Sequence, residues 1–367
     1  MNRSMTFSNI SNDEILLEDL KSIANSNIPL SELQNKTVFV TGATGLLGSQ
    51  LVKSLISFNK LCKTNIKVIA LARDVNKAER VFRHLLKDSR LNMVYQDITQ
   101  PLNLEGPVDY IVHGASVTSS KIFISNPVET IQVALRGTEN ILNLAKDKCV
   151  KGLVYLSSLE VYGAMDFPNN LISETDFGVI DPLKVRSSYS ESKRMVECLC
   201  SAYFYQFGIP IKVARLTQTF GAGVKYDDDR VFAQFARSVI EKKDIVLHTP
   251  GDTVRSYCYT ADAIRALIFI LIKGENGQAY NVANKDTAIS IKEMAELLTN
   301  TYSDTGIKVV FDLGEDSAKL GYNPVVKINL DTAKLESLGW RSKIDLLEMY
   351  ERMIRSMRFQ SGANSAE

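Results

Sequence analysis

Tyr189-Ser190-Glu191-Ser192-Lys193 sets a phenol and an ammonium four residues apart. On a helix that spacing advances about 6 Å, little more than one turn, so both side chains lie on one face. A Lys cation beside a phenol favours the phenolate and draws its pKa down toward working pH, where it can take a proton from a sugar or alcohol hydroxyl. The pair is suited to oxidising an alcohol. A surface helix that happens to carry Tyr and Lys is the competing reading, and a two-residue pattern alone does not exclude it. Of the 14 Tyr, however, only Tyr189 has Lys at the fourth position after it.

Two signals stand upstream. The first runs from Lys36 to Leu55: a short β-branched run (Val38 to Val40) turns through Gly42, Gly45 and Gly48 into an apolar-periodic segment carrying Leu46, Leu47, Leu51 and Leu55. It reads as strand, tight loop and helix. The glycines let backbone N–H groups approach a pyrophosphate, and the helix N-terminus supplies partial positive charge. The spacing is G-x-x-G-x-x-G, with Thr44 inside the turn, and a plain β-α turn is the alternative. The second signal is the apolar strand Val154 to Leu156 ending in Ser157 and Ser158, followed by Leu159-Glu160-Val161-Tyr162-Gly163. In an open parallel sheet, ligands sit beyond the carboxyl ends of strands, where these hydroxyls fall. Taken alone, Ser-Ser after a strand is a turn or a helix cap.

In this order and spacing the chain resembles the extended short-chain dehydrogenase/reductase family, in its nucleotide-sugar epimerase, dehydratase and decarboxylase branch. The matching residues are Thr41 to Gly48, Asp97-Ile98, His113-Gly-Ala-Ser116, Ser157 to Gly163, Tyr189 to Lys193, Ala214-Arg215 to Phe220-Gly221, and Arg255-Ser-Tyr-Cys-Tyr259. Together they cover residues 36 to 300. The resemblance implies that Ser158 hydrogen-bonds the sugar O4, that Tyr189 is the base, and that Lys193 binds the nicotinamide ribose. It places Gly42, Thr44, Gly45, Leu46, Leu47, Gly48 and Ala115 on the cofactor and Ser116 on the substrate. Asp97 is placed on the adenine amino group, with Ile98 beside it.

The α/β organisation is also read from the chain. From Lys36 to Arg215, strands (Val68–Leu71, Tyr110–His113, Leu153–Leu156, Ile211–Ala214) alternate with helical patterns, which predicts a Rossmann-type doubly wound parallel sheet over 35–215. The resemblance implies a smaller C-terminal substrate-binding lobe over 216–358, with segments returning to the main body. Residues 1–34 form a helical extension: Ser11 to Glu14 resembles a capping box, and Leu16, Leu20 and Ile23 follow at helical spacing, so a helix packed on the main body or on a second subunit is expected. The small and polar residues of 359–367 are expected to fray.

At 367 residues, 45% hydrophobic and net charge +1, the chain can bury one large core or two modest ones, and it carries no electrostatic signal for nucleic acid or a membrane surface. Five Cys form no C-x-x-C, and the odd count points to reduced thiols in a cytoplasmic protein. Three His without ligand spacing give no reason to expect a metal. A homodimer is expected.

Several departures bear on specificity. The family ends its second strand in Asp, which accepts the adenosine ribose hydroxyls; here the strand runs into Ala72-Arg73-Asp74. Ala72 accepts nothing, and Arg73 could accommodate a 2′-phosphate. NAD remains the expected cofactor, with NADP the alternative that Arg73 raises. Where the family has Asn on the substrate diphosphate, this chain has Gln218. Arg230 and Arg255 are the cations placed on the diphosphate, since Arg presents a planar fork of donors to phosphate oxygens. A solvated surface arginine is the competing reading for each.

The 4,6-dehydratases carry Asp-Glu between Ser158 and Tyr162, whereas this chain has Leu159-Glu160. A lone Glu is similar to the UDP-glucuronate decarboxylases, and Glu160 is counted with Ser158, Tyr189 and Lys193 as a catalytic candidate. The expectation is a nucleotide-sugar 4-epimerase working through a transient 4-keto sugar with retained cofactor, serving surface-polysaccharide precursors. The alternatives are a decarboxylase or dehydratase of the same family, and an NAD(P)H-dependent 4-ketosugar reductase.

Overall fold

The computed structural model describes residues 7, 10–165, 171–313 and 325–363. Its first half alternates strands and helices: α1 (Glu14–Ala24), β1 (Thr37–Thr41), α2 (Leu46–Leu61), β2 (Lys67–Ala72), α3 (Val75–Phe82), β3 (Leu91–Tyr95), β4 (Tyr110–His113), α4 (Ser120–Ser125), α5 (Pro127–Asp147), β5 (Gly152–Ser158), α6 (Ser187–Phe207) and β6 (Ile211–Leu216). The second half is shorter-grained: β7 (Gln218–Phe220), α7 (Val231–Glu241), β8 (Ile245–Leu247), β9 (Val254–Tyr259), α8 (Thr260–Lys273), β10 (Ala279–Val282), β11 (Asn284–Ser290), α9 (Ile291–Thr301), β12 (Val309–Phe311), β13 (Lys327–Ile328), α10 (Ala333–Ser337) and α11 (Leu346–Ala363).

Seven strands form one sheet in the order β3-β2-β1-β4-β5-β6-β10, every pair parallel. Strand order reverses between β1 and β4, which opens a crevice beyond their carboxyl ends, the usual ligand position in such a sheet. Val38, Phe39 and Val40 are completely buried because helices cover both faces, so the run is continuously apolar rather than alternating. The expected doubly wound α/β fold is what the chain adopts, with two strands beyond those read from sequence. β3 is an edge strand with a half-exposed pattern, and β10 arrives from the second half of the chain. A second sheet runs β11-β9-β13 with β7 on β9, and β8 pairs with β12.

α8 lies under β5, β6 and β10 and is buried from Thr260 to Leu271. A helix apolar on all sides is a core helix, and the two charges within its buried stretch are matched to each other. Arg265 pairs with Asp262 at 2.5 Å, and the same carboxylate accepts the backbone N–H groups of Lys343 (2.8 Å) and Ile344 (3.1 Å).

α1 packs on α2, α8 and α11, so the N-terminal helix belongs to the main body of its own chain. Its cap is Asp13, which accepts from Ile15 and Leu16, two residues beyond the expected Ser11; Ser11 instead accepts from Asp13 N–H at 3.1 Å. Leu16, Leu20 and Ile23 are buried as their spacing requires. The same helix buries Asp19, whose carboxylate accepts from Tyr259 Oη (2.6 Å) and Arg352 Nη2 (2.7 Å). Burial pushes Asp19 up to about 6, against the pull of Arg352.

The expected frayed tail from 359 is corrected through 363. α11 continues to Ala363, because the Gln360 amide donates to Val224 O (2.8 Å) and accepts from Tyr226 N–H (3.1 Å). Residues 364–367 of that tail lie outside the described residues.

Removing one partner of a buried ion pair leaves an uncompensated charge, typically a loss of about 3–5 kcal/mol. Arg352→Ala is therefore expected to lower unfolding stability in urea by about 3 kcal/mol, and a loss below about 1 kcal/mol would contradict this account of how α1 is held.

Candidate active site

The glycine-rich turn is closed tightly enough to exclude side chains. Gly42 has φ +66°, and a Cβ there would lie 2.6 Å from the Gly114 carbonyl carbon, while one at Gly48 would collide with the Gly42 carbonyl oxygen. Gly45 caps α2 without any side-chain hydrogen bond, which leaves the N–H groups of the first turn of α2 without a side-chain cap, while Leu46 and Leu47 are half-buried against the core. A bare cradle at a helix N-terminus fits a pyrophosphate.

Behind it runs a chain of hydrogen bonds whose direction follows from its end. Thr138 Oγ1 donates to Ala134 O (2.7 Å), so it accepts from His113 Nε2 (3.0 Å). His113 Nδ1 must then accept from Thr41 Oγ1 (2.7 Å), which in turn accepts the Ala115 N–H (3.1 Å). His113 is neutral in this arrangement, and burial with the nearby Lys193 charge pushes it down to about 3. The chain locks β1 to β4 at the crevice. Ser116, one residue on, donates to Val117 O at 3.1 Å.

Asp97 Oδ1, after β3, accepts from Thr99 N–H and Oγ1 (2.8 and 2.7 Å), and these bonds hold its carboxyl below the usual range. Ile98 is buried against Gly137 of α5. Arg73 is largely exposed and lies 3.8 Å from Asp97 and 4.0 Å from Glu129. Asp74 is committed as the cap of α3, accepting from Lys77 N–H at 2.9 Å.

The first turns of α6 carry Tyr189 and Lys193 on one face, as the four-residue spacing requires. Ser158, at the end of β5, acts on the Tyr189 hydroxyl in favour of its ionised form, and Phe123 of α4 stacks on the Tyr189 ring at 4.2 Å and 12°. Lys193 is buried; its Nζ donates to Leu156 O (2.7 Å) and lies 5.7 Å from the Tyr189 ring centroid. The expected lowering of Tyr189 by Lys193 is corrected. Burial pushes the phenol well above its ordinary value and the Glu160 charge adds to this, while the Ser158 hydrogen bond and Arg186 oppose it. Lys193 itself is pushed down to about 8 by burial, with Glu197 pulling the other way.

Of the two strand-end hydroxyls, only Ser158 faces the site. Ser157 is buried and donates to Glu197 (2.5 Å), whose carboxylate also receives Arg215 Nη2 at 2.7 Å. Leu159 is buried in a small apolar cluster with Val161 and Tyr162. Glu160 turns the other way and receives Arg186 Nη2 (2.7 Å), Arg186 Nη1 (3.0 Å) and Ser190 Oγ (2.8 Å). Phe123, Arg186 and Ser190 are the neighbours of the Tyr-Lys pair that the sequence did not single out. Ser190 and Arg186 stand within a few residues of Tyr189, but only the fold brings Glu160 to them.

The diphosphate candidates separate clearly. Arg230 already forks onto Asp228 (2.9 and 2.6 Å) and lies over the Phe232 ring at 4.7 Å. Arg255, on β9, has a buried Nε with no hydrogen-bond partner among the described residues. Gln218 opens β7, in register with Tyr257 of β9, half-buried. Arg255 is thus the guanidinium with donors to offer.

A glycine-closed nucleotide cradle, with a Tyr-Lys pair and a serine at the strand ends beside it, defines a nicotinamide-dependent enzyme site. The family model described as the NAD dependent epimerase/dehydratase family matches residues 38–283. The chain belongs to that family of nucleotide-sugar enzymes and uses NAD. Among its relatives, UDP-glucuronic acid decarboxylase 6 of Arabidopsis thaliana is 31% identical over 330 residues, 89% of this chain and 90% of that protein. UDP-glucuronic acid decarboxylase 3 of the same plant is 32% identical, covering 86% of each chain. Among solved structures, the dTDP-glucose 4,6-dehydratase of Streptomyces venezuelae with NAD and TYD bound superposes with a TM-score of 0.72 at 22% identity, over 89% of this chain and 98% of that one. The UDP-N-acetylglucosamine 4-epimerase of Methanobrevibacter ruminantium gives 0.75 at 19%, over 89% and 99%. These structural likenesses speak for the fold.

Arg73 sits between two carboxylates that would repel a 2′-phosphate, and exposed ion pairs contribute only about 0–1 kcal/mol. Arg73→Ala should therefore leave NAD affinity within about threefold by titration calorimetry. A large, selective loss of NADP binding in that variant would instead support the NADP alternative.

Proposed function

We propose that this enzyme oxidises the C4 hydroxyl of a nucleotide-diphosphate uronate and releases the C5 carboxylate as carbon dioxide. The observation that carries this is the similarity to UDP-glucuronic acid decarboxylases along about nine-tenths of both chains. The site is in keeping with it. Dehydration needs an acid for the leaving hydroxyl, and Leu159 stands where that acid would be, buried in an apolar cluster.

Gly42 to Gly48 and Lys193 would hold NAD, which would supply an acceptor for the C4 hydride and so make the cycle redox-neutral. Ser158 holds the sugar O4, and Tyr189 takes the O4 proton. The resulting 4-ketone makes the sugar a β-keto acid. The C5–C6 bond breaks, carbon dioxide leaves, and the electron pair is accommodated as the enolate of the C4 ketone. C5 then takes a proton from solvent, and Tyr189 gives its proton back to O4 as the ketone is reduced. Arg255 is the group assigned to the substrate diphosphate, joined by Gln218; Ser116 lines the sugar side, and Arg230, neutralised by Asp228, plays a lesser part.

The 4-epimerase expectation remains the second reading, because an inversion at C4 equally requires neither the acid missing at Leu159 nor a free base. It shares every step up to the ketone.

The test is incubation with UDP-glucuronate, UDP-glucose and dTDP-glucose, followed by mass and NMR analysis of the products. Loss of carbon dioxide from UDP-glucuronate is expected. Unchanged mass with inverted C4 would establish the epimerase, loss of water a dehydratase, and consumption of free reduced cofactor the 4-ketosugar reductase. Tyr189→Phe should retain NAD binding and lower turnover about 10²–10⁴-fold, since only the acid/base oxygen is removed. Near wild-type turnover in that variant would show that another group is the base.

A further inference from the structure

Glu160 and Arg186 form a bidentate ion pair whose two charges both act on Tyr189. The guanidinium meets the carboxylate with both terminal nitrogens, at 2.7 and 3.0 Å, and Ser190 completes the carboxylate's shell at 2.8 Å. Both side chains are only about one-fifth exposed, at 19% and 21%, so their charges are less screened than on an open surface. Three parts of the fold meet here: the strand end after β5, the first turn of α6, and α4. Arg186 lies 4.8 Å over the Phe123 ring, the same ring that stacks on Tyr189.

A bidentate pair of this kind cancels itself. A lone carboxylate in this position would disfavour the phenolate of Tyr189, and a lone guanidinium would favour it. We propose that Glu160 and Arg186 act as one charge-matched unit that positions Tyr189 and keeps either charge alone from moving the pH at which it takes its proton, and that neither is itself an acid or base of the reaction. The inference rests on Tyr189 being the base. It gives Glu160, otherwise a candidate for chemistry at C5, a positioning role, and it adds Arg186 to the residues on which the reaction depends.

The other groups facing Tyr189 do not supply this control. Lys193, on its own helix, directs its ammonium to Leu156 O; Ser158 and Tyr155 of β5 are neutral; Phe123 of α4 carries no charge. Glu160 works with burial to hold the phenol up, and Arg186 works against it.

The measurement is the ionisation of Tyr189 followed by NMR in NAD-loaded protein labelled with ¹³Cζ-tyrosine, its signal identified by its loss in Tyr189→Phe. Glu160→Gln leaves Arg186 uncompensated and should move the Tyr189 midpoint down by about one pH unit; Arg186→Gln should move it up. The double variant Glu160→Gln/Arg186→Gln should return close to wild type, and Arg186→Lys should lie between Arg186→Gln and wild type. The pH limb of cofactor reduction on mixing with substrate should shift in the same directions. An unmoved Tyr189 titration in Glu160→Gln, or a double variant no nearer wild type than the single ones, would overturn the proposal. The expected NMR shifts with no cofactor reduction by any nucleotide sugar would leave the pair standing and defeat the proposed function instead.

Discussion

Burial pushes the Tyr189 phenol up and the Lys193 ammonium down, so both groups are driven toward their neutral forms one helical turn apart. Everything else in the crevice is arranged around that constraint. A phenol in this condition ionises to a base only when a positive charge reaches its hydroxyl end, which the positive ring of oxidised NAD would supply when bound. The low dielectric that keeps the resting phenol protonated also strengthens the effect of each nearby charge.

Carboxylates throughout the fold are matched by arginines. Glu160 is held by Arg186, Glu197 by Arg215, Asp228 by Arg230, Asp262 by Arg265 and Asp19 by Arg352. Buried pairs of this kind contribute little net stability against apolar replacements, but breaking one is costly, so they fix geometry more than they add energy. Arg255, whose buried Nε has no partner among the described residues, stands apart from this pattern. A guanidinium donor left without a partner is a place for an anion, which is why the proposed function gives the diphosphate to Arg255 rather than to Arg230.

The cradle and the Tyr-Lys pair were legible in the sequence because each is local. Gly42, Gly45 and Gly48 are needed by one turn, and Tyr189 and Lys193 by one helix face. What the chain did not disclose is non-local. Phe123 and Arg186 meet Tyr189 and Glu160 only because α4 and the start of α6 close over the end of β5, and the direction of the Tyr189 shift depends on burial rather than on the lysine four residues away. β10 escaped for a related reason: Ala279–Val282 is short and contains Asn281, whose buried side chain is satisfied by Ile172 O and Asp331 O (2.9 Å each). Strand ends and caps moved by a residue or two, as with Asp13 in place of Ser11. The reaction type is less legible still, since one fold at similar TM-scores carries both a dehydratase and an epimerase. Under the proposed function the distinction from a dehydratase rests on Leu159, which stands where that reaction needs an acid.

The central claim is a redox-neutral cycle at C4 in which the hydrogen removed from the sugar is the one returned. It is tested most directly with UDP-glucuronate carrying deuterium at C4, turned over in ordinary water. The account predicts a nucleotide pentose that keeps its deuterium at C4, with no free reduced cofactor accumulating. Loss of the C4 label to solvent, or stoichiometric release of reduced cofactor, would contradict it.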